Sequence, residues 1–454
     1  MIQKHRIIDK KAGLTLISIT LISLAIWRNI LMPIPQIMPI TPIRQSYIST
    51  SELGGRLRIW GYDESSSGYE VLWSAVSVYY DAIAMGDVDN DGKNEVLGTK
   101  TRKATDGSYY EIFFDVYNEA DSGRWERIKS IGQMEGVKED QKYRDHEIVV
   151  ADVDGEPGNE VIMKTHHWLV VYQYSEVEGD YKKLSSTKLF IDEKMVMLDS
   201  VTVGDVDRDG VTEILVSANE EGIENKAYLL IFQDFTLKEF VQVNISAHLG
   251  TYSANSGLSL PLSLHNSLHI GDLDGDGYLE ICSTGYKKES DTLYKLLQRG
   301  AVVTCVGDLY KVYLFVWSHI GELILESQIY ETFYWPLPSL VFDIGEIDPN
   351  NEGEEIAYSD LEPYSHQLSL CYFEESSLSE IWRTALDGFA YTNLYIADSD
   401  GDGDNEIVIS GMELRSEAPT GTFYLEIFDE QGKSLWKRVN GEIGELDVTY
   451  MAVG

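Results

Sequence analysis

Gly86-Asp87-Val88-Asp89-Asn90-Asp91-Gly92-Lys93-Asn94-Glu95-Val96 sets acids at every second position, turns on a glycine and closes on a glutamate. The same order returns at 204–214 with Asp205, Asp207, Asp209, Gly210 and Glu213. It returns again at 271–281 with Asp272, Asp274, Asp276, Gly277 and Glu280, and at 397–407 with Asp398, Asp400, Asp402, Gly403 and Glu406. Two further copies depart from it. Asp152, Asp154, Glu156 and Glu160 keep the spacing, but Pro157 stands where the loop glycine belongs. Glu346, Asp348 and Asn350 open another, which Glu354-Glu355 closes one residue late, making Glu355 the closing acid.

The first acids, at 87, 152, 205, 272, 346 and 398, lie 65, 53, 67, 74 and 52 residues apart. A period of that size, varied by loop insertions, fits one four-stranded blade of a propeller. Short apolar runs precede each loop (82–85, 148–150, 201–203, 268–270, 341–344, 394–396), and others follow it (95–97, 160–163, 213–216, 280–282, 355–358, 406–409). Each unit then shows a hairpin of β-branched and aromatic residues bounded by turn residues, such as 168–174 with 181–185. Residues 291–299 read as one short helix inside an insertion.

The chain ends complete each other. Residues 57–62 and 70–74 form a third and fourth strand with no repeat before them. Residues 448–453 form a first strand, with Gly454 in the glycine slot, and 47–50 is the candidate second strand. Joined, they make a seventh blade and remove the open edges of the ring. The expectation is an all-β, seven-bladed β-propeller over 47–454, with six or eight blades as the alternatives.

The loops point to calcium. This ion takes six to eight oxygen ligands at about 2.3–2.6 Å. Carboxylates at loop positions 1, 3 and 5 converge when the chain turns sharply at position 6. Position 7 offers a backbone carbonyl (Lys93, Val211, Tyr278, Asp404), and the acid at position 9 closes the shell. Magnesium demands stricter octahedral geometry and keeps its waters. Zinc prefers nitrogen or sulfur, and no loop holds His or Cys. Four sites are expected, and six if the two irregular copies bind.

With 36 Lys plus Arg against 75 Asp plus Glu, the 454-residue chain carries a formal charge of −39. That excludes a phosphate-binding surface for nucleic acid and attraction of the main body to anionic lipid. A hydrophobic content of 43% and an aromatic content of 11% exclude disorder as the reason for the acidity.

At the amino end Lys4, Arg6, Lys10 and Lys11 precede an apolar run over 12–27, about 24 Å long as a helix. Residues 1–31 read as a signal peptide or signal anchor, and the lack of an Ala-x-Ala site favours the anchor. The flanking charges put everything beyond it outside the cell. Residues 32–46, with Pro33, Pro35, Pro39 and Pro42, form a stiff tether. Cys282, Cys305 and Cys371 are too few for a disulfide framework; they read as buried small hydrophobes, with a Cys282–Cys305 pair as the alternative.

His166-His167-Trp168 comes with no nucleophile motif and reads as a strand start, and His265 and His269 read as ordinary loop and strand residues. Asp63-Glu64-Ser65-Ser66-Ser67 reads as a hairpin turn. Trp73, Trp125, Trp382 and Trp436 recur in the outer hairpin strand and read as packing between blades. Asn244-Ile245-Ser246 is a glycosylation sequon.

The Gly-Asp-x-Asp-x-Asp-Gly-x-x-Glu-Ile units resemble FG-GAP/VCBS repeats, as in the integrin α-subunit propeller and many microbial surface proteins. The resemblance spans roughly 47–454 and implies a propeller with calcium loops on one rim. Pro157, the extra residue near Glu352 and the missing Phe-Gly and Gly-Ala-Pro signatures depart from it. The family implies no single activity. The leading expectation is a non-enzymatic, cell-surface binding or adhesion module for a protein or glycan, membrane-attached only through its amino-terminal segment. The alternative is a carbohydrate-active enzyme, such as a polysaccharide lyase, with its site over the channel.

Overall fold

The computed structural model describes residues 46–454 apart from 53–54, 79, 104–109, 121–122, 138–145, 221–226, 244–247, 250–266, 299–300, 333–339, 361–365, 375, 387–388, 414–422 and 441–447. The amino-terminal apolar segment, most of the tether, His265 and the sequon lie outside these residues. Among the described residues no helix is long and apolar enough to cross a membrane.

Seven antiparallel sheets make seven blades. Their innermost strands are Ala82–Gly86, Glu147–Ala151, Lys194–Gly204, Leu268–Gly271, Val341–Gly345, Phe389–Ala397 and Val448–Val453, for blades 1 to 7 in that order. Each touches the innermost strand of the next blade, and the last touches the first, so the ring is closed. The closure is made as the chain ends suggest. In blade 7 the order from the centre outwards is Val448–Val453, Tyr47–Glu52, Arg56–Asp63 and Gly68–Val76. Tyr47 N–H donates to Gly454 O at 2.8 Å, and Gly454 N–H to Tyr47 O at 3.1 Å.

The glycine that ends four inner strands has a packing cause. A Cβ on Gly86 would lie 2.5 Å from Val150 Cγ1, and one on Gly204 would lie 2.0 Å from Ile270 Cδ1. Gly271 and Gly345 meet Ile344 and Ile396 in the same way. At each position the inner strand of the next blade fills the space a side chain would need.

Apolar clusters run between successive blades. Val153, Ile162 and Val171 of blade 2 pack with Val201, Val216 and Leu230 of blade 3. The outer tryptophans do the packing expected of them. Trp73 meets Tyr117 of blade 1, with ring centroids 5.6 Å apart, and Trp436 meets Trp60 and Tyr69 of blade 7. Trp382 Nε1 donates to Glu430 O of blade 6 at 2.8 Å. Asp63 forms a turn in which Ser65 N–H and Oγ donate to its carboxylate.

One expectation fails. Residues 291–298 are strand, not helix, because Glu280–Gln298 pairs with Ala301–Trp317 as one long hairpin of blade 4. The register runs on from Thr292↔Gly307 to Gln298↔Ala301. The partner run Ala-Val-Val-Thr-Cys-Val is β-branched and supplies the ladder hydrogen bonds that a helix would otherwise make internally. Cys282 and Cys371 are buried free thiols, so Cys282 has no disulfide; the side chain of Cys305 lies outside the described residues.

Candidate metal centres

Each acidic loop joins the innermost strand of a blade to its second strand, so the six loops recur at like places around one rim. Their common architecture starts from the closing glutamate. Val88 N–H donates to Glu95 Oε2 (3.0 Å), and the same bond joins Val153 to Glu160, Val206 to Glu213, Leu273 to Glu280, Ile347 to Glu355 and Ser399 to Glu406. The donor at position 2 is itself buried in every loop, which pins the loop's root to the core.

Above that root the backbone coils around its own carboxylates. Asp91 N–H and Gly92 N–H donate to the two oxygens of Asp87, and Lys93 N–H donates to Asp91 Oδ1. The loops at Asp205 and Asp398 repeat the pattern, with Gly210 and Gly403 N–H on the first aspartate and Val211 and Asp404 N–H on the fifth-position aspartate. In the loop at Asp272, Tyr278 N–H donates to Asp276 Oδ1 at 2.8 Å. Position 4 is left-handed in five loops: Asn90 (φ 60°), Gly155 (72°), Arg208 (59°), Gly275 (72°) and Gly401 (83°). In the blade 2 loop Gly158 (φ 113°) supplies the turn that Pro157 cannot make.

The result is five carboxylate clusters: Asp87, Asp89 and Glu95; Asp152, Asp154 and Glu160; Asp205, Asp207 and Glu213; Asp272, Asp274 and Asp276; Asp398, Asp400 and Glu406. In each, one oxygen per residue lies within 4.8 Å of the others. Oxygens about 2.4 Å from a shared centre lie no farther apart than that. These groups could hold a metal ion, and their donors are all oxygen.

Two electrostatic facts bear on the fit. Glu95 is 0% exposed, and its Oε1, with Asp89 Oδ1 and Asp272 Oδ1, is buried without a hydrogen-bond partner. Burying a polar oxygen without a partner is costly. Burial, reinforced by Asp89, Asp91 and Asp87, also lifts the Glu95 carboxyl to about 8. Burial lifts Glu160, Glu280 and Glu406 to about 7, with neighbouring aspartates adding to it. A divalent cation would satisfy the orphaned oxygens and reverse that repulsion.

The clusters differ in their own counter-charge. In blade 3, Lys238 Nζ lies 2.9 Å from Asp207 Oδ2 and 3.6 Å from Glu213 Oε1, while Gln233 Nε2 donates to Asp209 Oδ2. No such ammonium reaches the blade 1 cluster among the described contacts. Asp91, Glu156, Asp209 and Asp402, at position 5, and Glu280, at position 9, lie outside the three-residue groups.

The loop at Glu346 stands apart. It forms no such cluster among the described residues. Asn351 Nδ2 donates to Glu355 Oε1 at 2.7 Å, and Asn350 Nδ2 donates to Asp348 Oδ1 at 2.7 Å. Its position 4 is Pro349, whose ring holds φ near −65° and forbids the left-handed turn of the other five. That proline was the signal in the sequence, and it outweighs the apparent match of Glu346, Asp348 and Asn350.

Sequence spacing also missed the ties between loops, made by the residue before the closing glutamate. Asn159 Nδ2 donates to Asp87 O (2.7 Å), and Asn405 Nδ2 donates to Glu346 O (2.8 Å). At the same slot in blade 5, Glu354 N–H donates to Asp272 O (2.8 Å), and its Oε2 accepts from Asp272 N–H (2.9 Å).

Along the axis, residues of all seven inner strands line a cavity of about 240 Å³. Its ionisable lining is Glu147, His269, Asp343 and Tyr395. His269 Nδ1 lies 2.8 Å from Asp343 Oδ1, and Asp343 also accepts from Ile344 and Ile396 N–H. His166 and His167 are buried at the turn between the second and third strands of blade 2, where His167 Nδ1 meets Val196 O of blade 3 at 3.0 Å.

No family model matches the chain, and no curated protein matches it in sequence. Solved structures match it in shape. A protein from Lactobacillus plantarum is 11% identical with a TM-score of 0.46, over 90% of this chain and 99% of its own. An Agrocybe aegerita lectin specific for non-reducing terminal N-acetylglucosamine gives 11% and 0.46, over 90% and 94%. A rhamnogalacturonan lyase of Bacillus licheniformis gives 14% and 0.32, over 88% and 69%. Likeness at this level carries no argument about activity.

Proposed function

We propose that this propeller is a calcium-stabilised binding or adhesion module of the FG-GAP/VCBS type, displayed outside the cell for a protein or glycan partner. The observation that carries the reading is the buried, unpartnered oxygen of Glu95 aimed into a carboxylate cluster that recurs at like positions in five blades. Calcium fits these clusters because every donor is a hard oxygen and each loop offers backbone carbonyls beside its acids. The ion ties the first strand of a blade to the second, and its role is structural. The N-terminal basic-apolar segment and the acidic surface support display beyond a membrane, where calcium is plentiful.

The channel does not favour the lyase reading. A uronate substrate calls for a cationic group beside a proton acceptor; among the described residues the lining has no Lys or Arg, and its one candidate cation, His269, is already held by Asp343 at 2.8 Å.

Chelation tests the reading. At a hundredfold excess of calcium over Kd, each site adds about 2.7 kcal/mol of stability. Ion removal from five sites should lower the melting temperature by on the order of 10 °C or more. An unchanged melt in excess chelator would reject it. A glycan or protein ligand captured in calcium and released by chelator would extend it to binding. A rise in ultraviolet absorbance on pectic substrates would replace it with the lyase.

A further inference from the structure

The blade 5 loop has the outline of a metal loop without its cluster. Two features set it apart from the other five loops, and a third is shared with blade 2. Pro349 occupies the position that is left-handed in the other five loops. The closing acid Glu355 has both oxygens engaged, as Glu160 has through Val153 N–H and Gln173 Nε2: Oε2 accepts from Ile347 and Asp348 N–H, and Oε1 accepts from Asn351 Nδ2. The extra residue of the loop moves Gly353 and Glu354 onto the neighbouring blade. A Cβ on Gly353 would lie 2.5 Å from Leu273 O, and Glu354 grips both sides of the Asp272 peptide.

We propose that this loop is an ion-independent clasp. The Asn351 amide stands in for the cation at Glu355, and Glu354 is a positioning residue that holds Asp272, the first carboxylate of the blade 4 site. The inference rests on the calcium reading of the other five loops. The closing glutamates of those loops accept from the position 2 N–H, and Glu95, Glu160, Glu213 and Glu406 each also belong to a carboxylate cluster, Glu160 even with Gln173 Nε2 on its Oε1. In blade 5 the other oxygen is met by a protein donor and no cluster gathers beside it among the described residues, so nothing there calls for a metal. An amide also supplies the bond without charge, and so works whether or not calcium is present. The spare acid then fills the slot that Asn159 and Asn405 fill in blades 2 and 6, contacting the first residue of the preceding loop.

The full chain, purified in detergent, stripped of metal and titrated with calcium by calorimetry and elemental analysis, should bind five ions. Six would overturn the clasp while leaving the calcium reading intact; none would overturn the calcium reading itself. Asn351→Ala should lower the melting temperature equally in calcium and in chelator. A loss seen only in calcium would show an ion at this loop and sink the proposal. Glu354→Ala should weaken one of the five sites by roughly tenfold, and Glu354→Gln, which keeps an acceptor oxygen, should restore it. Five unchanged affinities in Glu354→Ala would remove its positioning role.

Discussion

Asn159 Nδ2 donates to the main-chain carbonyl of Asp87 across 2.7 Å, so a residue of the blade 2 loop holds the first carboxylate-bearing residue of the blade 1 loop. Asn405 does the same for Glu346, and Glu354 for Asp272. The acidic loops of blades 1 and 2, and those of blades 4, 5 and 6, are therefore linked along the rim by bonds that do not depend on a metal. Replacing Asn159 by Ala leaves a carbonyl without its donor and should destabilise the fold by about 1 kcal/mol, read by chemical denaturation. Asn405→Ala should behave alike, and the two should add because they lie in different blades. No loss in either variant would mean that these bonds hold nothing.

Glu95 gives a test in which the sign changes with conditions. Its carboxylate is buried among Asp87, Asp89 and Asp91, which disfavours charge when no cation is present. Glu95→Gln keeps the shape and the acceptor for Val88 N–H but removes the charge. The metal-free variant should melt no lower than the parent, while the calcium-loaded variant should melt below its parent. Equal shifts in both conditions would assign Glu95 to the core and not to an ion.

Lys238 supplies a built-in counter-ion to the blade 3 cluster, where it lies against Asp207 and Glu213. The exposed Lys238–Asp207 pair is worth less than about 1 kcal/mol, so calcium can displace it, but at some loss of affinity. Lys238→Met should tighten one calcium site several-fold and slightly lower the stability of the metal-free protein. Unaltered calcium affinity would place the lysine outside the site.

The dependence on pH follows from the raised glutamates. In the metal-free protein Glu95 sits at about 8 and Glu160, Glu280 and Glu406 at about 7, chiefly through burial, against about 4.3 in an unfolded chain. A group raised in this way is protonated in the folded state where the unfolded chain has lost its proton. The stability it contributes is complete below the unfolded value and is lost as pH rises through 7 and 8. Calcium needs Glu95, Glu160 and Glu406, the three that belong to clusters, ionised, so its binding releases protons and strengthens with pH. The gap between the melting temperatures with and without calcium should widen from pH 5.5 to 8.5. A constant gap would show that the glutamates do not exchange protons for the ion.

The ring was legible because its most specific element, the acidic loop, recurs between apolar runs, and because 448–453 and 47–76 hold the strands of one further blade. Blade 7 could be assembled from both ends by asking which strands lacked partners. Residues 291–298 were misread because a short mixed run has no decisive period by itself; the strand preference lay across the turn, in the run from Ala301 to Val306. Acid spacing left the blade 5 loop open, because it does not register a backbone restriction, of which Pro349 is the visible sign. The ties made by Asn159, Asn405 and Glu354 were not legible at all, since they depend on how neighbouring blades are set against each other.

Crystals of the propeller grown in calcium, with diffraction recorded at a wavelength where calcium scatters anomalously, address the central claim most directly. The account predicts one anomalous peak inside each of the loops at Asp87, Asp152, Asp205, Asp272 and Asp398, each ringed by those carboxylates, and none at Glu346. Loops without peaks, their acids spread into solvent, would contradict it.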